Sequence, residues 1–78
     1  MDKTIREHDA VVLLRDLGGS PLVAGDSGVV VYCYEGAAAY EVEFANPSGK
    51  PRFLVETVVG EDLLKLQPRG RVGRTVTS

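Results

Sequence analysis

The sequence predicts an all-β domain built from five short strands. Three observations support this prediction: the chain has only 78 residues, its apolar residues fall in short or alternating runs, and Gly, Pro, Asn, Asp and Ser separate those runs. A chain of this length forms one domain and buries roughly 60% of the surface that it exposes when unfolded. With 44% hydrophobic and 26% charged residues, the composition is that of a globular protein.

The first two predicted strands flank a long connection. The first covers residues 10–15 (AVVLLR) and the second covers residues 28–34 (GVVVYCY). Residues 16–26 contain three glycines and Pro21, which exclude a helix or a central strand, so we expect a long loop. Gly36 and the alanines around it suit a short hairpin connection after the second strand.

The third predicted strand, 40–45, alternates between apolar and acidic residues. Its apolar residues fall on one face, and Glu41 and Glu43 fall on the other. This period of two is typical of a strand with one buried and one solvated face.

The last two strands follow clear turn signals. Asn46 and Gly49 enclose the string NPSG, in which Asn and Gly tolerate positive φ and Pro presets its own φ, so a hairpin to a fourth strand at 52–59 is expected. Asp62 is expected to begin a single helical turn before a last strand at 64–67.

Five strands, a long first loop, two tight hairpins and a one-turn link are the layout of an SH3-like barrel, in which closure of the sheet protects the strand edges. We therefore expect a five-stranded SH3-like barrel over residues 9–67, an N-terminal extension over residues 1–8 and a flexible basic tail over residues 68–78. The alternative is an open sheet that a second copy of the chain completes as a homodimer.

The charge distribution disfavours nucleic acid as the partner. The net charge is −2, but three arginines give residues 68–78 a charge of +3 and leave −5 on the rest of the chain, which repels phosphate groups. The alternative prediction is RNA binding of the KOW type, which weakens steeply with salt. The phosphate-contacting residues would then be Arg15, Lys50, Arg52, Arg69, Arg71 and Arg74.

Cysteine usage and hydropathy indicate a cytoplasmic protein. Cys33 is the single cysteine, so no intramolecular disulfide can form, and a reducing compartment is favoured. No segment approaches the roughly 18 apolar residues of a membrane span. The first ten residues lack the apolar run of a signal peptide.

The sequence offers no catalytic or metal-binding set. The string GDSG at 25–28 matches the letters around the nucleophile of chymotrypsin-like proteases, but a triad also needs a base and an orienting acid on a larger scaffold. His8 and Cys33 are the single residues of their types, and neither can complete a zinc site. We expect no enzyme activity, no cofactor and no metal.

The long loop is unusually apolar, because leucine and valine lie between its turn residues. These side chains either close one end of the barrel or form an exposed patch. We predict a non-catalytic module that binds an unknown protein partner through this loop and the following hairpin. The predicted contact residues are Leu17, Leu22, Val23, Asp26 and Glu35. The predicted structural turn residues are Gly25, Gly28, Asn46 and Gly49.

Three segments resemble a known family, and they are DAVVLLRDL at 9–17, LVAGDSGVV at 22–30 and AYEVEF at 39–44. They are similar to the small bacterial proteins called domain of unknown function forty-nine twenty-six, which share a D-V-V-x-L-x-D-L start, a G-D-x-G-x-V turn and a Y-E-V-E-F strand. The D-x-L-x-x-L ending of that family is approximated by Asp62, Leu63 and Leu66. The resemblance implies the barrel and an accessory or antitoxin-like role beside a partner. The string GDSGVV also resembles the KOW motif.

Overall fold

The computed structural model describes residues 4–67, which form one antiparallel sheet of five strands. The strands are β1 (Ala10–Leu13), β2 (Ser27–Cys33), β3 (Ala39–Ala45), β4 (Phe53–Val59) and β5 (Leu63–Lys65). Two short 3-10 helices, Glu35–Ala37 and Gly60–Asp62, join β2 to β3 and β4 to β5. The predicted basic tail at 68–78 and the first three residues of the predicted extension lie outside the described residues.

The strand order is β4-β3-β2-β1-β5, and each neighbouring pair is antiparallel. This order confirms the five-stranded all-β prediction and places the first and last strands side by side, as in an SH3-like barrel. The sheet is barrel-like but not closed, because β4 and β5 lie at its two ends and no ladder joins them within residues 4–67. In that part of the chain, no helix is long and apolar enough to cross a membrane.

The core lies on one face of the sheet and is centred on β3. The apolar residues of β3 are almost fully buried, whereas Glu41 and Glu43 are half-buried on the opposite face, so the predicted alternation is confirmed. All five strands and the long loop contribute to the core. Its buried residues are Val11, Leu13, Leu22, Val30, Tyr40, Val42, Phe44, Val58 and Leu63. Each large apolar side chain buried in this way contributes about 1.5–3 kcal/mol.

A bulge in β2 changes the face of the sheet on which the side chains after Val30 lie. Val30 pairs with Val42 and Tyr32 pairs with Glu41, so Val31 is the extra residue between them. Strict alternation would place Tyr32 beside the buried Val30, but the bulge brings the tyrosine to the outer face, where it is half exposed.

β1 ends at Leu13, two residues earlier than predicted, and the next two residues contact the connection between β4 and β5. The Leu14 N–H donates to the Asp62 carbonyl over 2.8 Å, and Arg15 Nε lies 2.9 Å from Asp62 Oδ1. The predicted helical turn is present, but Asp62 ends it, and β5 begins at Leu63. The carboxylate of Asp62 pairs with Arg15 because the turn brings it against the end of β1.

The predicted turn between β3 and β4 is confirmed. The Gly49 N–H donates to the Asn46 carbonyl over 2.9 Å, and the Ser48 N–H donates to Asn46 Oδ1 over 2.9 Å. Gly49 has a φ of 85°, which favours glycine.

Gly28 lies within β2 opposite Phe44 and not in a turn, which corrects the predicted role of this glycine. A Cβ at this position would contact β3 at less than 3 Å, so the glycine allows close approach between strands.

Candidate functional site

Two of the predicted contact residues, Leu17 and Leu22, pack their side chains against the core. Leu22 is only 1% exposed, and Leu17 is half-buried against the core. The loop folds over the end of the sheet because the Leu17 N–H donates to the Leu22 carbonyl over 3.0 Å. The prediction of Leu22 as a contact residue is therefore corrected, since its side chain closes one end of the core and offers no surface to a partner.

Val23 and Asp26 lie together in the outer part of the loop. Val23 is 48% exposed, and its N–H donates to Asp26 Oδ2 over 3.0 Å, while the Asp26 N–H donates back to the Val23 carbonyl over 3.0 Å. Gly25 has a φ of 96° and its N–H donates to the Leu13 carbonyl, so it is a turn residue as predicted. The Asp26 carboxylate is thus engaged in holding the loop.

Glu35 is exposed at the far end of β2 from the loop. The seven residues of β2 separate the two positions, and a strand of this length spans about 20 Å. The loop and the β2–β3 hairpin therefore do not form one continuous contact surface. The sequence predicted that both would contact the same partner.

A second exposed apolar surface lies on the outer face of the sheet. Val29, Phe53 and Val55 are 42%, 51% and 54% exposed. The strand register brings them together, because Glu43 on β3 lies opposite both Val29 on β2 and Val55 on β4, and Ala45 lies opposite Phe53. We call this surface the apolar face, and its members are Ala10, Val29, Ala45, Phe53, Val55 and Leu66.

The apolar face contains a shallow concavity of about 290 Å³. Phe53 and Val29 line it with the exposed Leu66, whose N–H donates to the Ala10 carbonyl over 2.9 Å. Residues from β1, β2, β3 and β4 therefore meet Leu66, which follows β5, on one surface. Isolated exposed apolar side chains are common, whereas a contiguous group of them is unusual, and we therefore take this surface as the candidate site.

Glu43 lies in the middle of this surface and also lines the concavity. Its side chain is half-buried between Val29 and Val55. Within residues 4–67, no side chain donates a hydrogen bond to its carboxylate or forms an ion pair with it.

Glu41, two residues earlier on the same face, has a different environment. The hydroxyl of Tyr34 donates to Glu41 Oε2, and Thr57 Oγ1 donates to the same oxygen over 2.8 Å. The Tyr32 and Tyr34 rings pack edge to face, with centroids 5.0 Å apart. The bulge in β2 makes this cluster possible, because it places Tyr32 opposite Glu41.

These hydrogen bonds shift the pKa values of both partners. The Tyr34 and Thr57 hydroxyls stabilise the ionised carboxylate and lower the pKa of Glu41, while the hydrogen bond to Glu41 raises the pKa of Tyr34. The Glu41 contribution to stability is present above the ordinary carboxyl pKa and is lost as pH falls through the lowered folded-state pKa. The contribution of Tyr34 to the free energy of unfolding is present below the ordinary phenol pKa. It is lost as pH rises through the raised pKa that Tyr34 has in the folded protein.

Replacement of the carboxylate tests this coupling. In Glu41→Gln, we expect the pKa of Tyr34 to fall toward its ordinary value, because the negative charge that holds the phenol proton is gone. A pH titration of the Tyr34 ring by NMR with ¹³Cζ-labelled tyrosine measures the change. Tyr40 is the internal control, since burial raises its pKa and the substitution leaves that burial intact. An unchanged Tyr34 pKa would contradict the coupling.

A wider groove of about 950 Å³ is lined by residues of β5 and of the Gly60–Asp62 helix, together with the buried Tyr40. Its lining includes Thr4 and Gln67, which are the first and last described residues.

The residues considered for catalysis or metal binding lie apart from one another. His8 is exposed with a φ of 74°, and Cys33 is half-buried in β2 opposite Tyr40. In the described part of the chain, no group of three or more His, Cys, Asp and Glu residues is arranged to hold a metal ion.

A family model described as Domain of unknown function (DUF4926) matches residues 7–65, which is more than half of the chain. The chain belongs to this family. The DUF4926 region contains all five strands and Glu43, and Leu66 lies one residue beyond its end. The resemblance found in the sequence is therefore confirmed. No curated protein and no solved structure matches the chain.

The sequence interpretation missed the apolar face, although a signal for it exists. β4 reads FLVETVV, with apolar residues at both even and odd positions. One set, Leu54 and Val58, points toward the core, and the other, Phe53, Val55 and Val59, is exposed. An edge strand that is apolar on both faces predicts an exposed apolar surface on the side away from the core.

Proposed function

We propose that this protein is a non-catalytic module that binds another protein through the apolar face. The observation that supports the proposal is the contiguous exposure of Val29, Phe53, Val55 and Leu66 across strands of one sheet. Contiguous apolar surface costs free energy in water, and a protein partner that covers it recovers this cost.

The shape of the surface favours a protein over a small molecule. A concavity of about 290 Å³ is just below the roughly 300–1,000 Å³ that ligand pockets occupy, and it opens onto a broad sheet face. Phe53 supplies the kind of aromatic side chain that is enriched at the centre of protein interfaces. The exposed edge of β4 continues the same surface.

Two further features extend the proposal to the setting in which the protein works. Cys33 is a free thiol, which suits a reducing cytoplasm. The family resemblance to small bacterial proteins suits an accessory or antitoxin-like role, in which the module acts by occupying a surface of one partner. Catalysis has no part in this role.

RNA binding of the KOW type is less well supported by the charges. Arg15 pairs with Asp62 over 2.9 Å and Lys65 pairs with Asp9 over 3.3 Å, so both cations lie beside acids. Residues 4–67 hold ten acidic and five cationic side chains, and their net charge of −5 repels a phosphate backbone.

Affinity capture with matched variants tests the proposal. The tagged full-length chain is incubated with a nuclease-treated lysate of its host, and the double variant Phe53→Ser/Val55→Ser is compared with Val23→Ser. Val23 is as exposed as the two face residues but lies in the loop. We expect one protein to bind the wild type and Val23→Ser equally and to bind the double variant at least about tenfold more weakly, as the loss of about 1.4 kcal/mol implies.

The opposite pattern would contradict the proposal: a partner retained by Phe53→Ser/Val55→Ser and lost from Val23→Ser would move the interface to the loop. A partner captured from an untreated lysate but not from the nuclease-treated one would favour the RNA alternative. Thermal unfolding of each variant serves as the folding control, because the substituted side chains are about half exposed.

A further inference from the structure

We propose that the partner contacts the apolar face with an arginine side chain that pairs with Glu43. The inference rests on the proposed function, and it specifies the chemistry of the partner. Glu43 is half-buried at the centre of the face, and no side chain among residues 4–67 bonds to its carboxylate. Covering this carboxylate with a purely apolar surface would remove its water without replacing it, which is costly.

Glu41 and Glu43 differ in the hydrogen-bond donors that the fold supplies to them. Both carboxylates lie on the outer face of β3, two residues apart. The fold supplies Glu41 with hydroxyl donors from Tyr34 and Thr57, whereas the cross-strand neighbours of Glu43 are the valines Val29 and Val55. Valine side chains donate no hydrogen bond, so the cross-strand neighbours leave the Glu43 carboxylate open to a donor from the partner.

Charge favours a cationic partner over a second copy of this chain. A copy that docks with the same face would bring a second Glu43 toward the centre of the interface, and like charges at that position are repulsive. Each copy also carries −5 over residues 4–67. The same acidic field accelerates the approach of a basic surface.

Arginine meets the requirements of the site better than lysine does. Its planar guanidinium donates two parallel hydrogen bonds to one carboxylate and is more weakly hydrated than an ammonium group. Its flat faces also pack against apolar and aromatic side chains, which surround Glu43 on this surface.

A pair of short peptides tests the inference with the full-length ¹⁵N-labelled chain. The probes are acetyl-Leu-Arg-Leu-amide and its isostere with neutral citrulline in place of arginine, titrated to millimolar concentration. We expect the arginine peptide to shift the amide signals of Val29, Glu43 and Val55, and to bind about two- to fivefold more tightly than the citrulline peptide, which is the strength of a partly exposed ion pair.

Two carboxamide variants assign the preference to one carboxylate. Glu43→Gln is expected to abolish the preference for arginine while leaving citrulline binding unchanged. Glu41→Gln is the matched control and is expected to retain the preference. Equal binding of the two peptides at the apolar face of the wild type would overturn the arginine inference and leave the proposed apolar interface standing. Absence of shifts at the three amides with the arginine peptide would also overturn it, independently of the capture experiment.

Two other occupants of the site would overturn the inference. If the arginine peptide binds only after Arg69, Arg71 and Arg74 are replaced by Gln, arginines of this chain and not of a partner meet Glu43. If sedimentation finds a dimer that Phe53→Ser/Val55→Ser dissociates, a second copy covers the face.

Discussion

Leu22→Ala is expected to lower the free energy of unfolding by about 2–5 kcal/mol, although Leu22 lies in a loop. Its side chain is only 1% exposed and belongs to the core beside residues of β1 and β3. The substitution leaves a cavity under the loop, and the hydrogen bond from the Leu17 N–H to the Leu22 carbonyl holds the backbone in place around it. A domain of this size has only about 4–12 kcal/mol in total, so the loss is large.

Urea unfolding followed by far-ultraviolet circular dichroism measures this change. Val23→Ala is the matched control, because Val23 is the next residue and is 48% exposed. We expect the control to change the free energy of unfolding by no more than about 0.5 kcal/mol. Equal effects of the two substitutions would contradict the assignment of Leu22 to the core.

Gly28→Ala is expected to destabilise the fold by about 1–3 kcal/mol or more, because β2 and β3 approach each other too closely for a Cβ. The added carbon would lie 2.6 Å from the Glu43 carbonyl oxygen, 2.8 Å from Phe44 Cδ1 and 2.9 Å from Val42 Cγ1. Two of these atoms belong to buried side chains and the third to backbone, so relief requires the strands to separate.

Gly18→Ala provides the control for Gly28→Ala. No atom lies within 4 Å of a Cβ built on Gly18, so alanine there is expected to be neutral or to stabilise the protein by about 0.4–1 kcal/mol. Thermal and urea unfolding of both variants compare the two glycines. A Gly28→Ala variant as stable as Gly18→Ala would show that the strands accommodate a side chain at this position.

The fold was largely predictable from the sequence, because short stretches of the chain specify its strands and turns. The alternation of Tyr40, Val42 and Phe44 with two glutamates defines the buried face of β3, and the Asn46–Gly49 string defines the following turn. The bulge at Val31 was not predictable, since GVVVYCY is apolar throughout and gives no period that distinguishes its two faces.

The candidate site depends on register, which residue patterns do not specify. The apolar face exists because Glu43 lies opposite Val29 on one side and Val55 on the other. The different environments of Glu41 and Glu43 arise in the same way, from which residues of neighbouring strands lie beside each carboxylate. The position of the Leu22 side chain was ambiguous for a related reason. An apolar residue in a loop either packs inward or stays exposed, and the hydrogen bonds of the folded loop decide between these two positions.

We propose that the apolar face is the surface that a partner protein covers. The most direct test is amide chemical-shift mapping of the ¹⁵N-labelled full-length chain in complex with the captured partner. We predict that the largest shifts and intensity losses fall on Val29, Glu43, Phe53 and Val55, while the amides of residues 16–26 remain largely unchanged. Shifts concentrated in residues 16–26 or along β5, with the apolar face unperturbed, would contradict the account.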